Sequence, residues 1–503
     1  FIIFYMRLKD ITILSPVFQV LPELLSKSEE FDDQTFGEVW QFVRNILSIQ
    51  ETDPSMIPLF FEIAMKYLQN ESFPIEKKRL ILSEFEPVVS IIPFELLQGM
   101  LTLSFTLAYA FISTENQLPD DYMEIIDSSL MHRKEEVAEF IKGKVVEYLQ
   151  NSSSLPDLIL GLFVLKSLLQ YDEDEMYNET TTIVSSVQAA LETQVPPLQI
   201  TALKVIDVLN EFFNVLSGTS IHLMKLVMPL LISPDEDIRP FAANAFLTLC
   251  DLCDTEIDGL FEQLWQFHEQ NLVPPDSIKD YIAVIAKVLD MSKTIPDTVQ
   301  ASVITFSDTI LFSGQFDYQE QSVGLNLMSA LFKKSPSLLP ALIPKLVPLL
   351  NSLFECNDDE LALHQALIFL ANLASSFGPS VLEFEAHYFE TIANIISERS
   401  TLRYYLTAME AAAKIIKFCN DNTLVEPMTR EILFLLQDES DDVTTVREVC
   451  TYISMMAKSL ATVDIKIVKT IFSSLIYAAT ENDDHELISR CFEALSKMYK
   501  RLR

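Results

Sequence analysis

Glycine is scarce in this sequence. The 503 residues include only 9 glycines, where average usage of about 7% would give roughly 35. That scarcity argues against glycine-rich phosphate-binding loops, tight β-hairpins and flexible linkers. Basic residues are also few, with 36 Lys and Arg against 72 Asp and Glu and a formal net charge of −36. A chain this acidic is poorly suited to nucleic acid or an anionic membrane surface, and is suited to basic protein partners.

Residues that perform chemistry are equally sparse. Six cysteines at irregular spacing do not form a disulfide framework, which favours a reducing compartment. No two of the 6 histidines lie four residues apart, and no nucleotide-binding or hydrolase motif occurs. Cys250 and Cys253 form a single C-x-x-C without a second ligand pair. The sequence therefore predicts no catalytic, cofactor or metal site, and a protein that is not an enzyme.

One uncharged run, residues 96–114, is long enough to be considered as a membrane span. It contains several polar side chains, among them Gln98, Thr102 and Thr106, and no basic cluster flanks it. We therefore expect a buried helix and no membrane insertion.

What the sequence does contain is helical periodicity over almost its whole length, in apolar runs of 12 to 20 residues. Short polar turns separate these runs and recur about every 40 residues. The turns expected to precede the second helix of a pair lie near Thr35, Pro74, Pro119, Pro156, Pro196, Pro234, Pro274, Asp317, Asp358, Ser400, Asp441 and Asp483. Proline suits the first turn of a helix, and aspartate caps its free N–H groups.

A period near 40 with two helices per unit is typical of HEAT repeats. One such repeat cannot bury its apolar stripe alone, so neighbouring repeats must stack. The sequence therefore predicts an all-α fold, an α-solenoid of about twelve antiparallel helix pairs. No linker interrupts the series, so residues 1–503 are expected to form one continuous solenoid.

Two units resemble HEAT repeats in residue pattern as well as in length. Residues 441–447 place Asp441 six residues before Arg447, a pair that forms a ladder between neighbouring repeats in that family. In residues 223–253, an alanine-rich second helix follows an acidic turn. There Arg239 has Ser233 six residues before it, so a regular ladder is not expected.

Within the HEAT class, the chain resembles the karyopherin-β (importin-β) family of nuclear transport receptors. The resemblance is carried by residues 361–396, with their Phe-Gly-Pro break at 377–379, and by residues 228–267. It implies a receptor that carries basic cargo through nuclear pores, moves between cytoplasm and nucleus, and releases cargo on binding Ran-GTP. It also implies binding of Phe-Gly nucleoporins in grooves between first helices. The family has N-terminal repeats that bind Ran, and no similar repeats are found in this sequence. We therefore expect either that such repeats precede Phe1 or that the protein departs from the family in this respect.

Acidic clusters are the candidate partner-binding residues. Their members are Asp172, Glu173, Asp174, Glu175, Asp235, Glu236, Asp237, Asp358, Asp359, Glu360, Asp441 and Asp442. One interpretation is that they cap helices in solvated turns. The other is that they line one edge of the solenoid and attract Lys- and Arg-rich segments.

The alternative function is a scaffold, such as a subunit that assembles a phosphatase complex. A scaffold is expected to have uniform repeats with regular ladders, whereas the turn intervals in this sequence vary from 37 to 45 residues. That variation favours the transport receptor.

Overall fold

The structure is a computed structural model of the chain. It describes residues 78, 85–86, 89–90, 92–115, 124–150, 154–171, 179–209, 217–253, 257, 259–295, 297–355, 360–398, 402–419, 421–436, 443–460, 462–480 and 484–502. Over these residues every regular element is a helix and none is a β-strand. The helices fall into two compact units, residues 1–255 and residues 256–503.

The first unit contains seven α-helices among its described residues. They are α1 (Phe94–Glu115), α2 (Glu124–Gln150), α3 (Leu155–Tyr171), α4 (Thr180–Leu191), α5 (Pro196–Asp207), α6 (Ser217–Val227) and α7 (Ile238–Asp251). Helices α2 and α3 pack as a pair, followed by α4 with α5 and α6 with α7. The second members, α3, α5 and α7, contact one another in succession, so the pairs stack side by side.

The second unit repeats this arrangement six times within the described residues. Its helices are α8 (Leu260–Glu269), α9 (Ile278–Met291), α10 (Asp297–Phe312), α11 (Tyr318–Lys334), α12 (Leu339–Glu355), α13 (Glu360–Phe377), α14 (Leu382–Glu385), α15 (Phe389–Glu398), α16 (Leu402–Ile416), α17 (Asn422–Leu435), α18 (Val443–Leu460), α19 (Ile465–Thr480) and α20 (His485–Leu502). The second helices α9, α11, α13, α16, α18 and α20 each contact the next in the series. The short α14 and α15 together occupy the place of one first helix.

The predicted fold class, an all-α solenoid of HEAT-type helix pairs, is confirmed. Second helices begin at residues 155, 196, 238, 278, 318, 360, 402, 443 and 485, so successive starts are 40 to 42 residues apart. The predicted turn residues stand where these helices begin. Pro196 is the first residue of α5, and Asp317 caps α11 in a reciprocal arrangement with Glu320.

The turns near Thr35, Pro74 and Pro119 lie outside the described residues, so the prediction that they precede second helices stays a prediction. Helix α2, which follows Pro119 in sequence, packs against α3. It is 27 residues long and kinked at Arg133, whose backbone leaves the helical region and separates two helical segments.

Small residues bring adjacent helices close together, as the alanine-rich repeat predicted. Ala242, Ala243 and Ala245 are all buried in α7. Gly324 of α11 has the same role against α10, because a Cβ built there would lie 2.7 Å from Cγ2 of Ile310. Close packing of this kind leaves little room for any larger side chain.

In the part of the chain that the structure describes, three helical segments are long and apolar enough to cross a membrane by length and composition alone: Phe94–Ser113, Pro336–Glu355 and Ala362–Glu398. The first contains residues 96–113 of the uncharged run. One face of α1 is buried, including Leu97 and Phe105. On the exposed side, the hydroxyls of Thr102 and Thr106 donate to carbonyl oxygens one turn earlier in the same helix.

Candidate protein-binding surfaces

The acidic turn Asp235–Asp237 lies between α6 and α7. Oδ1 of Asp235 accepts a hydrogen bond from the backbone N–H of Asp237 at 3.0 Å, which orders the turn. Asp237 occupies the N-cap position of α7, but its side chain makes no capping hydrogen bond. Glu236 and Asp237 are exposed and Asp235 is half-buried. Asp237 therefore does not act as a capping side chain, and the carboxylates of Glu236 and Asp237 are exposed to solvent.

Of the remaining candidate residues, one lies among the described residues. Glu360 begins α13. The others lie outside the described residues: Asp172, Glu173, Asp174, Glu175, Asp358, Asp359, Asp441 and Asp442.

Arg239 contacts the residue six positions before it through the backbone of that residue. Its Nη1 donates to the carbonyl oxygen of Ser233, six residues earlier, at 2.9 Å. The side chain is only 6% exposed. The buried guanidinium therefore takes a backbone acceptor in the position where the family pattern has a carboxylate.

A ladder between neighbouring repeats does form at Arg447 in α18. Its guanidinium donates from Nε to Oδ1 of Asp484 at 3.2 Å and from Nη2 to Oδ2 of the same carboxylate. Its Nη1 lies 3.1 Å from Oε2 of Glu486. Asp484 also caps α20, because its Oδ1 accepts from the N–H of Leu487 at 2.6 Å. That capping bond, followed by the Arg447 contact, lowers the pKa of Asp484.

Sequence reasoning paired Arg447 with Asp441, which lies outside the described residues, and did not assign Asp484 as its partner. A signal was present, since Asp484 belongs to the next acidic turn of the predicted series. Further polar contacts link second helices in the same way. Asn326 donates to Gln365 at 2.8 Å, and Thr407 lies 3.1 Å from Nδ1 of His364. These pairs are about one repeat apart in sequence.

A groove lies between two neighbouring first helices, α17 and α19. Its cavity volume is about 380 Å³, and the half-buried side chains of Leu433, Val463 and Ile467 line it with apolar surface. On its rim, Arg430 and Glu426 form an ion pair at 3.4 Å. An apolar floor beneath a charged rim suits insertion of an aromatic side chain from an extended peptide.

One phenylalanine of the alanine-rich repeat packs in its core. Phe246 is fully buried, whereas Phe212 and Phe213 lie outside the described residues. Cys250 and Cys253 are both buried thiols. Across the described part of the chain, no three His, Cys, Asp or Glu side chains are grouped so that they could hold a metal ion.

A buried carboxylate, Glu385, was not anticipated from the sequence. It lies at the end of α14, after the Phe-Gly-Pro break where Gly378 adopts a φ of +53°. Glu385 is 0% exposed, and neither carboxylate oxygen has a hydrogen-bond partner among the described residues. Burial raises its pKa to about 8. Nothing in the local sequence distinguishes it from its exposed neighbour Glu383.

Comparison of the sequence with known protein families and with curated proteins finds no match. Comparison of the structure with solved structures finds importin β at a TM-score of 0.60 and 12% identity, covering 98% of this chain and 66% of that one. Yeast importin-β (Kap95p) has a TM-score of 0.62 at 11% identity, covering 100% and 68%. A complex of Kap95 with Nup1 has a TM-score of 0.64 at 11% identity, covering 100% and 68%.

This chain therefore spans about two thirds of the length of these receptors, and slightly less than two thirds of the importin β structure. The similarity extends over nearly all of this chain, in agreement with the resemblance predicted from residues 228–267 and 361–396. The fold of this chain is karyopherin-β-like.

Proposed function

We propose that this protein is a nuclear transport receptor of the karyopherin-β type that carries basic cargo through nuclear pores. The observation that carries the proposal is structural similarity to importin β over 98% of the chain at a TM-score of 0.60. In this proposal residues 1–503 form one continuous solenoid that acts in both cytoplasm and nucleus. It works by binding proteins and catalyses no reaction.

The acidic turn Asp235–Asp237 is proposed as one contact for basic cargo. Its exposed carboxylates belong to a chain with a formal charge of −36, which would speed encounter with Lys- and Arg-rich segments. The same role is proposed for the candidate acidic residues outside the described part of the chain and for Glu360. Release of cargo by Ran-GTP is included in the proposal on family resemblance alone.

The groove between α17 and α19 is proposed as a site for Phe-Gly segments of nucleoporins. Two observations support this assignment: its apolar lining by Leu433, Val463 and Ile467, and the solved complex of Kap95 with Nup1. The groove lies between first helices, where the family resemblance places such sites.

One observation weakens the argument against the scaffold alternative. The described second helices begin every 40 to 42 residues, a narrower range than the 37 to 45 residues measured between sequence turns. The argument from irregular repeats therefore does not distinguish the receptor from a scaffold. A binding measurement is needed to distinguish them.

The test is direct binding of the 503-residue protein to immobilised Phe-Gly repeats and to Ran-GTP. Ile467→Asp places a charge in the groove and is expected to weaken Phe-Gly binding at least tenfold, about 1.4 kcal/mol. Ile476→Asp is the matched control, because Ile476 is an exposed isoleucine of the same helix outside the groove lining. If the wild-type protein binds neither ligand, the receptor function is contradicted and the scaffold function is favoured. If both variants bind Phe-Gly repeats equally, this groove is not the Phe-Gly site.

A further inference from the structure

Two free cysteines face each other across neighbouring second helices. Cys450 lies in α18 and Cys491 in α20, and their Sγ atoms are 3.6 Å apart. Both side chains are 0% exposed. The two residues are 41 positions apart, which is the repeat length, so equivalent positions of consecutive repeats carry the two thiols.

The contact makes the two sulfur atoms chemically unequal. A hydrogen bond between them lowers the pKa of Cys491, while the same bond and burial raise the pKa of Cys450. The directions of these two shifts favour Cys491 as the nucleophile of the pair, with the Cys450 thiol held beside it.

We propose that Cys450 and Cys491 form a redox modification site that reacts with hydroperoxides to give a reversible disulfide between two repeats. In the first step the Cys491 thiolate attacks a peroxide oxygen, the O–O bond breaks, and a sulfenic acid and hydroxide form. In the second step the Cys450 sulfur attacks the sulfenic sulfur, and water leaves as the S–S bond forms. Two thiols and one hydrogen peroxide thus become one disulfide and two waters.

Reaction at buried thiols requires α20 to move away from α18. Within the described residues α20 packs mainly on α18 and α19. Its other side exposes Phe492 and Tyr499, at 60% and 58%. The two thiols therefore react only when the contact between α18 and α20 opens locally. Once formed, the disulfide joins two consecutive second helices and opposes this opening. The proposal does not depend on the transport function.

The experiment uses the full 503-residue protein, reduced, desalted and then treated with hydrogen peroxide before alkylation of the remaining thiols. Trypsin cleavage after Arg447 and Lys458 releases Cys450 in peptide 448–458, and cleavage after Arg490 and Lys497 releases Cys491 in peptide 491–497. We expect mass spectrometry to find these two peptides linked, in the majority of molecules, and separated again by a thiol reductant. Hydrogen exchange of residues 485–498 should slow at least tenfold in the oxidised protein.

Single variants separate the roles of the two thiols. Cys450→Ser removes the resolving thiol, so Cys491 should accumulate as a sulfenic acid that dimedone traps. Cys419→Ser is the matched control and should keep the full yield of linked peptide, because Cys419 is a half-buried cysteine whose pKa is raised mainly by burial. The proposal is overturned if the linked peptide does not form, whether the two thiols stay reduced or oxidise singly. Linkage of either thiol to a different cysteine overturns it as well.

Discussion

The buried carboxylate of Glu385 makes the stability of its repeat depend on pH, and its replacement by glutamine removes that dependence. Glutamine has nearly the shape of a protonated glutamate. Both side chains lack hydrogen-bond partners in this environment, since no partner for Glu385 is found among the described residues. The substitution Glu385→Gln therefore changes ionisation and little else.

The magnitude follows from the difference between the pKa in the folded and unfolded states. The folded pKa is raised to about 8 from an ordinary value of 4.5. The unfolded chain releases its proton first, so stability is complete below pH 4.5 and declines as pH rises toward 8. At about 1.36 kcal/mol per pH unit, the wild-type repeat loses about 3 kcal/mol by pH 7. Glu385→Gln should recover that amount at pH 7 and less than about 1 kcal/mol at pH 5.

The assay is amide hydrogen exchange of residues 389–416, which form α15 and α16 beside Glu385. Repeat proteins are stabilised by nearest-neighbour contacts, so the effect should be local to this region. At pH 7 the variant should exchange about 100-fold more slowly than wild type in segments that require opening of the repeat. Comparison at equal pH cancels the intrinsic pH dependence of exchange.

The exposed neighbour provides the control. Glu383→Gln lies in the same short helix but on its solvent side, so it should change stability by less than about 0.5 kcal/mol at any pH. Equal amide exchange rates for Glu385→Gln and wild type at pH 7 and pH 8 would show that ionisation of Glu385 does not lower the stability of the repeat. That result would refute the reasoning from burial.

The remaining predictions concern packing, the ladder and the acidic turn. Gly324→Ala should destabilise the protein by about 1–3 kcal/mol, because its new Cβ would lie within 3 Å of Ile310. Gly143→Ala should stabilise it by about 0.5–1 kcal/mol, since nothing lies within 4 Å of the added methyl group on α2. Thermal unfolding measures both glycine variants, and equal shifts of their melting temperatures would contradict the packing account. Asp484→Asn should increase hydrogen exchange in α20 at pH 7 but not below the lowered pKa of Asp484, where the wild-type carboxyl is protonated too. Replacing residues 235–237 by Asn or Ser should weaken binding of a Lys- and Arg-rich peptide by about 1–2 kcal/mol at low salt, with a smaller loss at high salt. Unchanged affinity at both salt concentrations would remove the turn from the binding surface.

Much of the fold could be predicted because its signals are local and repeated. Several helix starts carry a cap or a proline, as at Pro196 and Asp317, and the described second helices begin at a nearly constant spacing. The repeat period did not predict helix α2, which is 27 residues long and kinked at Arg133. A period averaged over a chain does not detect one unusual member.

The candidate site was less predictable because its contacts join residues in different repeats. The partner of Arg447 is 37 residues away in Asp484, and the sequence alone offers Asp441 as an equally reasonable partner. Burial is likewise decided by neighbouring helices, which is why Glu385 and Glu383 look alike in sequence and differ in the fold. Capping could be tested at one described cluster, Asp235–Asp237, where Asp237 stands at the helix start without making a capping bond.

The most direct test of the central claim is nuclear entry of the labelled protein in permeabilised cells. The reference is an inert globular protein of equal mass, 57.2 kDa. A transport receptor interacts with the pore, so the account predicts that this chain enters nuclei much faster than the reference and that Ile467→Asp enters more slowly than Ile476→Asp. Exclusion of the wild-type chain from nuclei to the same extent as the inert protein would contradict the account.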